Sequence, residues 1–267
     1  MSVRHLIALD LDGTLLPRNQ QISPRTKRVL QEARDEGHVI VIATGRPYRA
    51  SSKYYHELAL TTPIVNFNGA EVHHPSNPQY PRTTASVSLE TTHHLLEICD
   101  TIGVENVMVE MSNEFYVARN HGFFIEHLPG YTEPAGVGSL RSLVQAPPTT
   151  MMIQLEKTHV PRIQVALNEL GESDILHRWW TGDTHVLEVA PKHVSKASGL
   201  STIAEAYGVE QARVIAFGDQ VNDMEMIDYA GHGVAMGNAI DSLKEIATAV
   251  TKTNEEDGIA HYLEKIL

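Results

Sequence analysis

Leu6-Ile7-Ala8-Leu9-Asp10-Leu11-Asp12-Gly13-Thr14 is the stretch whose reading decides the fold. Its apolar half, joined by Val3, reads as a buried strand. The strand runs into two carboxylates and a glycine. Buried charge is costly unless it is paired or metal-bound, so this ending is a poor choice for structure alone. Residues two apart in a strand point to the same side, and Gly13 lets the chain turn sharply. Asp10 and Asp12 are therefore expected to face one small volume. Taken alone, Asp12-Gly13 could equally be an ordinary turn and Asp10 a solvated strand end. The rest of the chain decides between the two.

Outward from that stretch, Ser23 suits a helix N-cap and Pro24 the first helical position. Gly37 ends that helix, and residues 39–43 form a second apolar run leading into Thr44-Gly45-Arg46-Pro47. A helix with Tyr54, Leu58 and Leu60 follows, then a third strand at 63–67 ending at Asn68-Gly69. Strands alternating with helices imply right-handed parallel crossovers. Sites in open parallel sheets lie outside the carboxyl ends of the strands, where Asp10, Thr44 and Asn68 fall.

The middle of the chain has a different pattern. Pro78 and Pro81 punctuate a polar linker, and a helix is expected over Leu89–Ile102. Strands follow at 104–109, 114–118 and 150–155, with an irregular stretch around Pro129, Gly130, Pro134 and Gly136 and a helix at 160–170. Residues 175–180 and 185–189 read as a hairpin around Gly182-Asp183. Hairpins mixed with helices suggest an inserted antiparallel α+β domain. From Pro191 the parallel pattern resumes. The stretch 194–200 opens a helix that runs to Tyr207 and is ended by Gly208, and a strand at 213–217 runs into Gly218-Asp219-Gln220-Val221-Asn222-Asp223. Short strands at 233–237 and 249–251 and helices at 243–247 and 259–267 complete it. The expectation is an α/β protein: a Rossmann-like parallel-sheet core of residues 1–83 and 187–267, with an inserted α+β domain of residues 84–186.

Composition narrows the function. The 267 residues are 42% hydrophobic and 20% charged, with a net charge of −12. That balance argues against nucleic acid and against an anionic membrane surface as partners. An anionic substrate would need a local positive device. Cys99 is the only cysteine, which rules out a disulfide within the chain and a cysteine-rich zinc site. No apolar stretch approaches membrane-spanning length, and no signal peptide is readable, so a cytoplasmic protein is expected. Oligomeric state leaves no readable mark. The fifteen histidines lack ligand spacing; His73-His74 and His93-His94 are expected to face solvent, and Trp179-Trp180 to supply one core ring and one exposed ring. An EF-hand loop aligned on Asp10 would place Ala8 and Asn19 where acidic groups are required. No phosphate-binding P-loop exists, and Gly231, Gly233 and Gly237 miss the dinucleotide spacing.

The four chemistry-bearing edges, Asp10-Leu11-Asp12-Gly13-Thr14, Thr44, Lys196 and Gly218-Asp219 through Asn222-Asp223, resemble in this order the four motifs of the haloacid dehalogenase superfamily. The long insertion after Asn68-Gly69-Ala70 is similar to its Cof-type branch, which carries a large α/β cap. The resemblance implies a phosphohydrolase in which Asp10 is the nucleophile and forms a phospho-aspartate. It also implies that Asp12 protonates the departing oxygen and then activates water. Mg²⁺ would take Asp10, the Asp12 carbonyl and Asp219, with Asp223 helping directly or through water. Thr44, Gly45, Lys196 and Asn222 are the implied phosphate-binding residues, and Arg46, Asn68 and Gly69 the candidates for substrate contact. Two positions depart from the pattern: Gln220 stands where serine or threonine is usual, and Ala197 where glycine is common. The implied substrate is a small phosphorylated metabolite, with sugar phosphates foremost. Two rivals remain at this point. One is a phosphotransferase or mutase using the same phospho-aspartate. The other is a non-catalytic phosphometabolite-binding module, against which the presence of Asp12 counts.

Overall fold

The computed structural model describes residues 4–127, 133–169, 175–180 and 185–267. The chain divides into two compact units: unit 1 holds residues 1–46, 51–83 and 194–267, and unit 2 holds 47–50 and 84–193. The return to unit 1 falls after His193 and not at 187. A return at 187 would cut a strand, Val186–Pro191, that pairs on both sides within unit 2.

Unit 1 opens with β1 (Leu6–Leu9), α1 (Pro24–Asp35), β2 (Val39–Ile42), α2 (Tyr48–Glu57, its first turn grouping with unit 2), β3 (Ile64–Asn66), β4 (Glu71–His73) and β5 (Thr83–Thr84). Ser23 caps α1 by accepting the Thr26 N–H at 3.1 Å, with Pro24 in the first turn. Unit 2 follows with α3 (Leu89–Ile102), β6 (Asn106–Met111), β7 (Glu114–Val117), α4 (Phe123–His127), β8 (Gly136–Val137), α5 (Leu140–Leu143), β9 (Thr150–Gln154), α6 (Val160–Glu169), β10 (Ile175–Trp179) and β11 (Val186–Pro191). The chain then completes unit 1 with α7 (Lys196–Ala206), β12 (Val214–Gly218), α8 (Met224–Tyr229), β13 (His232–Ala235), α9 (Asp241–Ile246), β14 (Ala249–Val250) and α10 (Gly258–Ile266).

The sheet of unit 1 runs β14-β13-β12-β1-β2, all parallel. β1 and β2 are buried along their whole length, as apolar runs without alternation require when helices cover both faces. Leu9, Ile42 and Phe217 stand side by side in the register. The residues after them therefore emerge at one level, and this positions the site.

The third strand departs from expectation. β3 touches the parallel sheet through one bridge, Ala43 to Val65, and otherwise pairs antiparallel with β4 in a separate three-stranded sheet. The cause is local. Phe67, Asn68 and Gly69 have φ of 49°, 53° and 102°, and three left-handed residues in succession reverse the chain. β4 thus lies in residues to which the sequence assigned no element.

The sheet of unit 2 runs β10-β11-β9-β6-β7-β8, antiparallel except for the β7–β8 pair. One face packs on α3, α5 and α6 through Leu95, Leu96, Leu140, Ile163 and Leu167. Ser88 caps α3, and Gly103 at φ 76° ends it. Cys99 lies in this core, and burial pushes its thiol up to about 12. The other face carries a smaller cluster around Phe115, Phe124 and Met152. Trp179 packs on the first cluster and Trp180 on the second. Neither ring is exposed as one was expected to be, because adjacent strand residues point to opposite faces. His73 is likewise largely buried, its side chain 3.7 Å from the buried Glu71. Gly182-Asp183, Pro129, Gly130 and Leu170 lie outside the described residues.

Candidate active site

Every expected site residue belongs to unit 1. Asp10 follows β1, Asp219 follows β12, and Asp223 ends the short turn before α8. Their carboxylates form one group, each offering an oxygen within 4.8 Å of the others. Lys196 enters from the first position of α7, where Ser195 caps the helix. It is fully buried, and its Nζ donates to Asp10 Oδ1 at 2.5 Å and to Asp223 Oδ1 at 2.7 Å. Asp223 Oδ2 accepts the backbone N–H groups of Asp219 and Gln220 at 2.9 and 3.0 Å. Asp223 therefore braces the loop that carries Asp219. Thr14, which the sequence reading left without a role, donates its hydroxyl to Asp219 Oδ1 at 2.8 Å.

Two glycines make this packing possible. Gly13 has φ 81°, and a Cβ on it would meet Asp219 Oδ2 at 2.3 Å. Gly69, at φ 102°, lies so close to α7 that a Cβ would meet the Ser195 carbonyl oxygen at 2.1 Å. Its geometry is that of a packing contact beneath Lys196.

Asp12 stands apart from the carboxylate group, with its side chain 53% exposed. Arg46 holds it: Nε donates to Asp12 Oδ2 at 2.7 Å, and the terminal nitrogen donates to Asp12 Oδ1 and, at 2.7 Å, to Gln20 Oε1. The Arg46 guanidinium lies 5.6 Å from the Tyr54 ring centroid. Burial works against its charge, but the Asp12 carboxylate outweighs that and the pKa rises. Arg46, expected at the substrate, is thus the partner of Asp12. The position of Arg46 two residues after Thr44 was the only hint of this in the sequence. Thr44 Oγ1 accepts the Arg46 N–H at 3.1 Å, which leaves its hydroxyl proton to be donated elsewhere. Asn222 Nδ2 donates to Asn68 Oδ1 at 3.0 Å. A Cβ on Gly45 would meet the Asn68 amide at 3.1 Å, so Gly45, Asn68 and Asn222 pack as one rim. Gln220 replaces the usual hydroxyl by reaching Asp219 Oδ2 with its amide at 3.4 Å.

Residues 7–263 match the haloacid dehalogenase-like hydrolase family. The chain belongs to that family. It is 43% identical to the 5-amino-6-(5-phospho-D-ribitylamino)uracil phosphatase YitU of Bacillus subtilis, over 98% of this chain and 97% of that protein. It is 30% identical to the pyridoxal phosphate phosphatase YbhA of Escherichia coli, with 97% of each covered. A haloacid dehalogenase-like hydrolase from Bacteroides thetaiotaomicron superposes with a TM-score of 0.86 at 26% identity, covering 99% of this chain and all of the other. This hydrolase is a phosphatase of the family.

The electrostatics of the candidate site bear on whether it suits a metal ion. Burial pushes the Asp10 carboxyl well above its usual range; Lys196 pulls it back, and Asp223 and Asp219 push it up again. Burial raises Asp219 to about 6, against the Thr14 hydrogen bond. Burial opposes the Lys196 charge, yet Asp10 and Asp223 carry its pKa above the ordinary value. Three carboxylates thus face one ammonium in a water-poor site. A hard, oxygen-seeking dication suits that donor set and its surplus negative charge.

Proposed function

We propose that the protein is a Mg²⁺-dependent phosphomonoesterase that works through a phospho-aspartate on Asp10. The observation that carries this reading is the group of Asp10, Asp219 and Asp223 around one buried lysine, at the carboxyl ends of β1 and β12. Asp10 and Asp219 would hold Mg²⁺, with Asp223 and the Asp12 carbonyl as the further donors. Bound there, the ion would supply positive charge to the phosphoryl oxygens.

The chain's own residues do the rest. An Asp10 oxygen attacks phosphorus and the P–O bond to the leaving group breaks. Asp12, once it has left the Arg46 fork that holds it as a carboxylate and taken up a proton, gives that proton to the departing alkoxide. Water then attacks the phospho-aspartate, loses a proton to Asp12 and releases phosphate. Lys196 orients Asp10 and offsets repulsion among the carboxylates. The Thr44 hydroxyl, the Gly45 N–H and the Asn222 amide bind the phosphoryl group, and Asn68 completes its rim.

The substrate we propose is a small phosphorylated metabolite, with 5-amino-6-(5-phospho-D-ribitylamino)uracil first. The 43% likeness to a phosphatase named for it supports this choice, and a pyridoxal phosphate phosphatase at 30% makes pyridoxal 5′-phosphate second. Both precede the simple sugar phosphates favoured by the sequence reading. Unit 2 is read as the cap that selects the ester. The net charge of −12 and the lone, inert Cys99 support a cytoplasmic enzyme without a nucleic-acid partner.

Turnover of these three substrate classes with Mg²⁺ is the direct test. Asp10→Asn should cost at least about 10³-fold in kcat while the protein still folds. EDTA should abolish turnover, and Mg²⁺ should restore it. Full activity after verified metal removal would reject the metal, and phosphate delivered to an added sugar in place of water would convert the reading to a phosphotransferase.

A further inference from the structure

The loop that carries Asp12 is tied down from outside the carboxylate group. Asn238 Nδ2 donates to the Gly13 carbonyl at 2.8 Å. Asn238 Oδ1 accepts the Asn254 N–H at 3.0 Å, and Asn254 Nδ2 donates to the Leu16 carbonyl at 3.0 Å. The Arg18 N–H completes the series on Glu255 Oε1 at 2.8 Å. Three backbone groups of one loop are thus held by side chains from two segments more than two hundred residues away in sequence.

Gly13 explains the need. No side chain fits at that position because Asp219 packs against it. Glycine, however, leaves its backbone more conformational freedom than any other residue. Asp12 immediately precedes this joint and lies largely in solvent. The Gly13 carbonyl shares its peptide plane with the Thr14 N–H, which donates to the Leu11 carbonyl at 3.3 Å; Asn238 anchors the same plane a second time, from outside the loop. Three of these four bonds are exposed, and the Asn254 bond to Leu16 is partly buried. Asn238 is exposed, and Gly13, Arg18, Gln20, Asn238 and Asn254 border an open depression of about 460 Å³. Exposed hydrogen bonds of this kind contribute little to global stability, so their concentration on one loop speaks for placement.

We propose that Asn238 and Asn254 are positioning residues that strap the Asp12-Gly13-Thr14 loop and set where Asp12 delivers its proton. The inference rests on Asp12 being the general acid, and the test separates the two statements. A general acid matters for a poor leaving group and little for a good one. kcat/KM, which reports events up to departure of the leaving group, is measured for an alkyl phosphate and for an activated aryl phosphate such as 4-nitrophenyl phosphate. The proteins are wild type, Asp12→Asn, Asn238→Ala, Asn238→Asp and Asn254→Ala. Asn238→Asp keeps an acceptor for Asn254 and replaces the donor to Gly13 with a negatively charged oxygen. Melting temperatures are recorded alongside.

Each strap variant should lose about tenfold on the alkyl ester and less than about threefold on the aryl ester, with the melting temperature unchanged within about 2 °C. If Asp12→Asn lowers both esters equally, the acid assignment fails and the strap proposal with it. If Asp12→Asn discriminates between the esters and the Asn238 and Asn254 variants do not, the strap proposal alone is overturned. Equal loss on both esters together with a lowered melting temperature would mark the asparagines as structural and overturn it too.

Discussion

The two units bury charge in opposite ways. In unit 2, Arg49 meets Glu110 with two parallel bonds of 2.8 and 2.6 Å, and its guanidinium lies 4.7 Å from the Phe115 ring centroid. One cation faces one carboxylate, their side chains 13% and 2% exposed. In unit 1 three carboxylates cluster beside one lysine, which bonds two of them. A forked arginine–carboxylate pair matches one positive charge to one negative charge. The group around Asp10 keeps negative charge in excess, which burial makes costly. Charge balance, more than burial itself, separates a structural ion pair from the group proposed above as a site for a cation and a phosphoryl group.

Breaking the balanced pair should have the largest effect on stability. Glu110→Gln leaves a buried guanidinium without its carboxylate, and unfolding free energy should fall by about 3 kcal/mol in chemical denaturation. Below the melting transition, kcat on a small aryl phosphate should stay within about threefold of wild type. A stable Glu110→Gln protein would show that the pair is dispensable.

The same change of charge in unit 1 should act with the opposite sign. Asp219 is raised to about 6, so at neutral pH its ionised form burdens the metal-free fold. Asp219→Asn should raise the melting temperature in EDTA by about 3 °C while abolishing the further rise that Mg²⁺ gives the wild type. A lower melting temperature in EDTA would mean that the carboxylates are already balanced.

The smallest effect belongs to a third way of burying a titratable group, which is to keep it neutral. His38 accepts the His5 N–H at 2.9 Å, and Glu36 is no nearer than 3.9 Å. Burial lowers its pKa below 6.5, with Arg4 adding to this and Glu36 opposing it. The unfolded chain takes up a proton first as pH falls below about 6.5. The stabilisation is therefore present above that pH and lost as pH drops through the lower folded value. Between pH 7.5 and 5.5 the melting temperature of His38→Asn should fall by about 1 °C less than that of wild type. Parallel pH curves would remove His38 from the account.

Much of this was legible in the sequence because strand ends are. Apolar runs fixed where β1 and β12 stop, and Asp10 and Asp219 follow those stops. The caps of α1 were equally local signals. The turn after β3 was not, since nothing in Phe67 announces a positive φ, and a strand of three residues carries too little pattern to show its partner. Long side chains defeated the reading most. Arg46 reaches back to Asp12, and Arg49 to Glu110 across sixty-one residues. A sequence shows that an arginine can reach, but not what it finds. Asn238 and Asn254 were silent for a related reason: an asparagine in a loop is the commonest of turn residues, and its backbone partner has no identity to read.

Cys99 has one practical consequence. It is the chain's only thiol, lies in the core of unit 2, and has its pKa pushed up to about 12. Almost none of it is thiolate at neutral pH, and maleimide reagents react with the thiolate. The natural sequence is therefore already a silent background for single-site labelling. A cysteine placed at the exposed Val165 on α6 would take a fluorophore alone, with no native thiol to remove first.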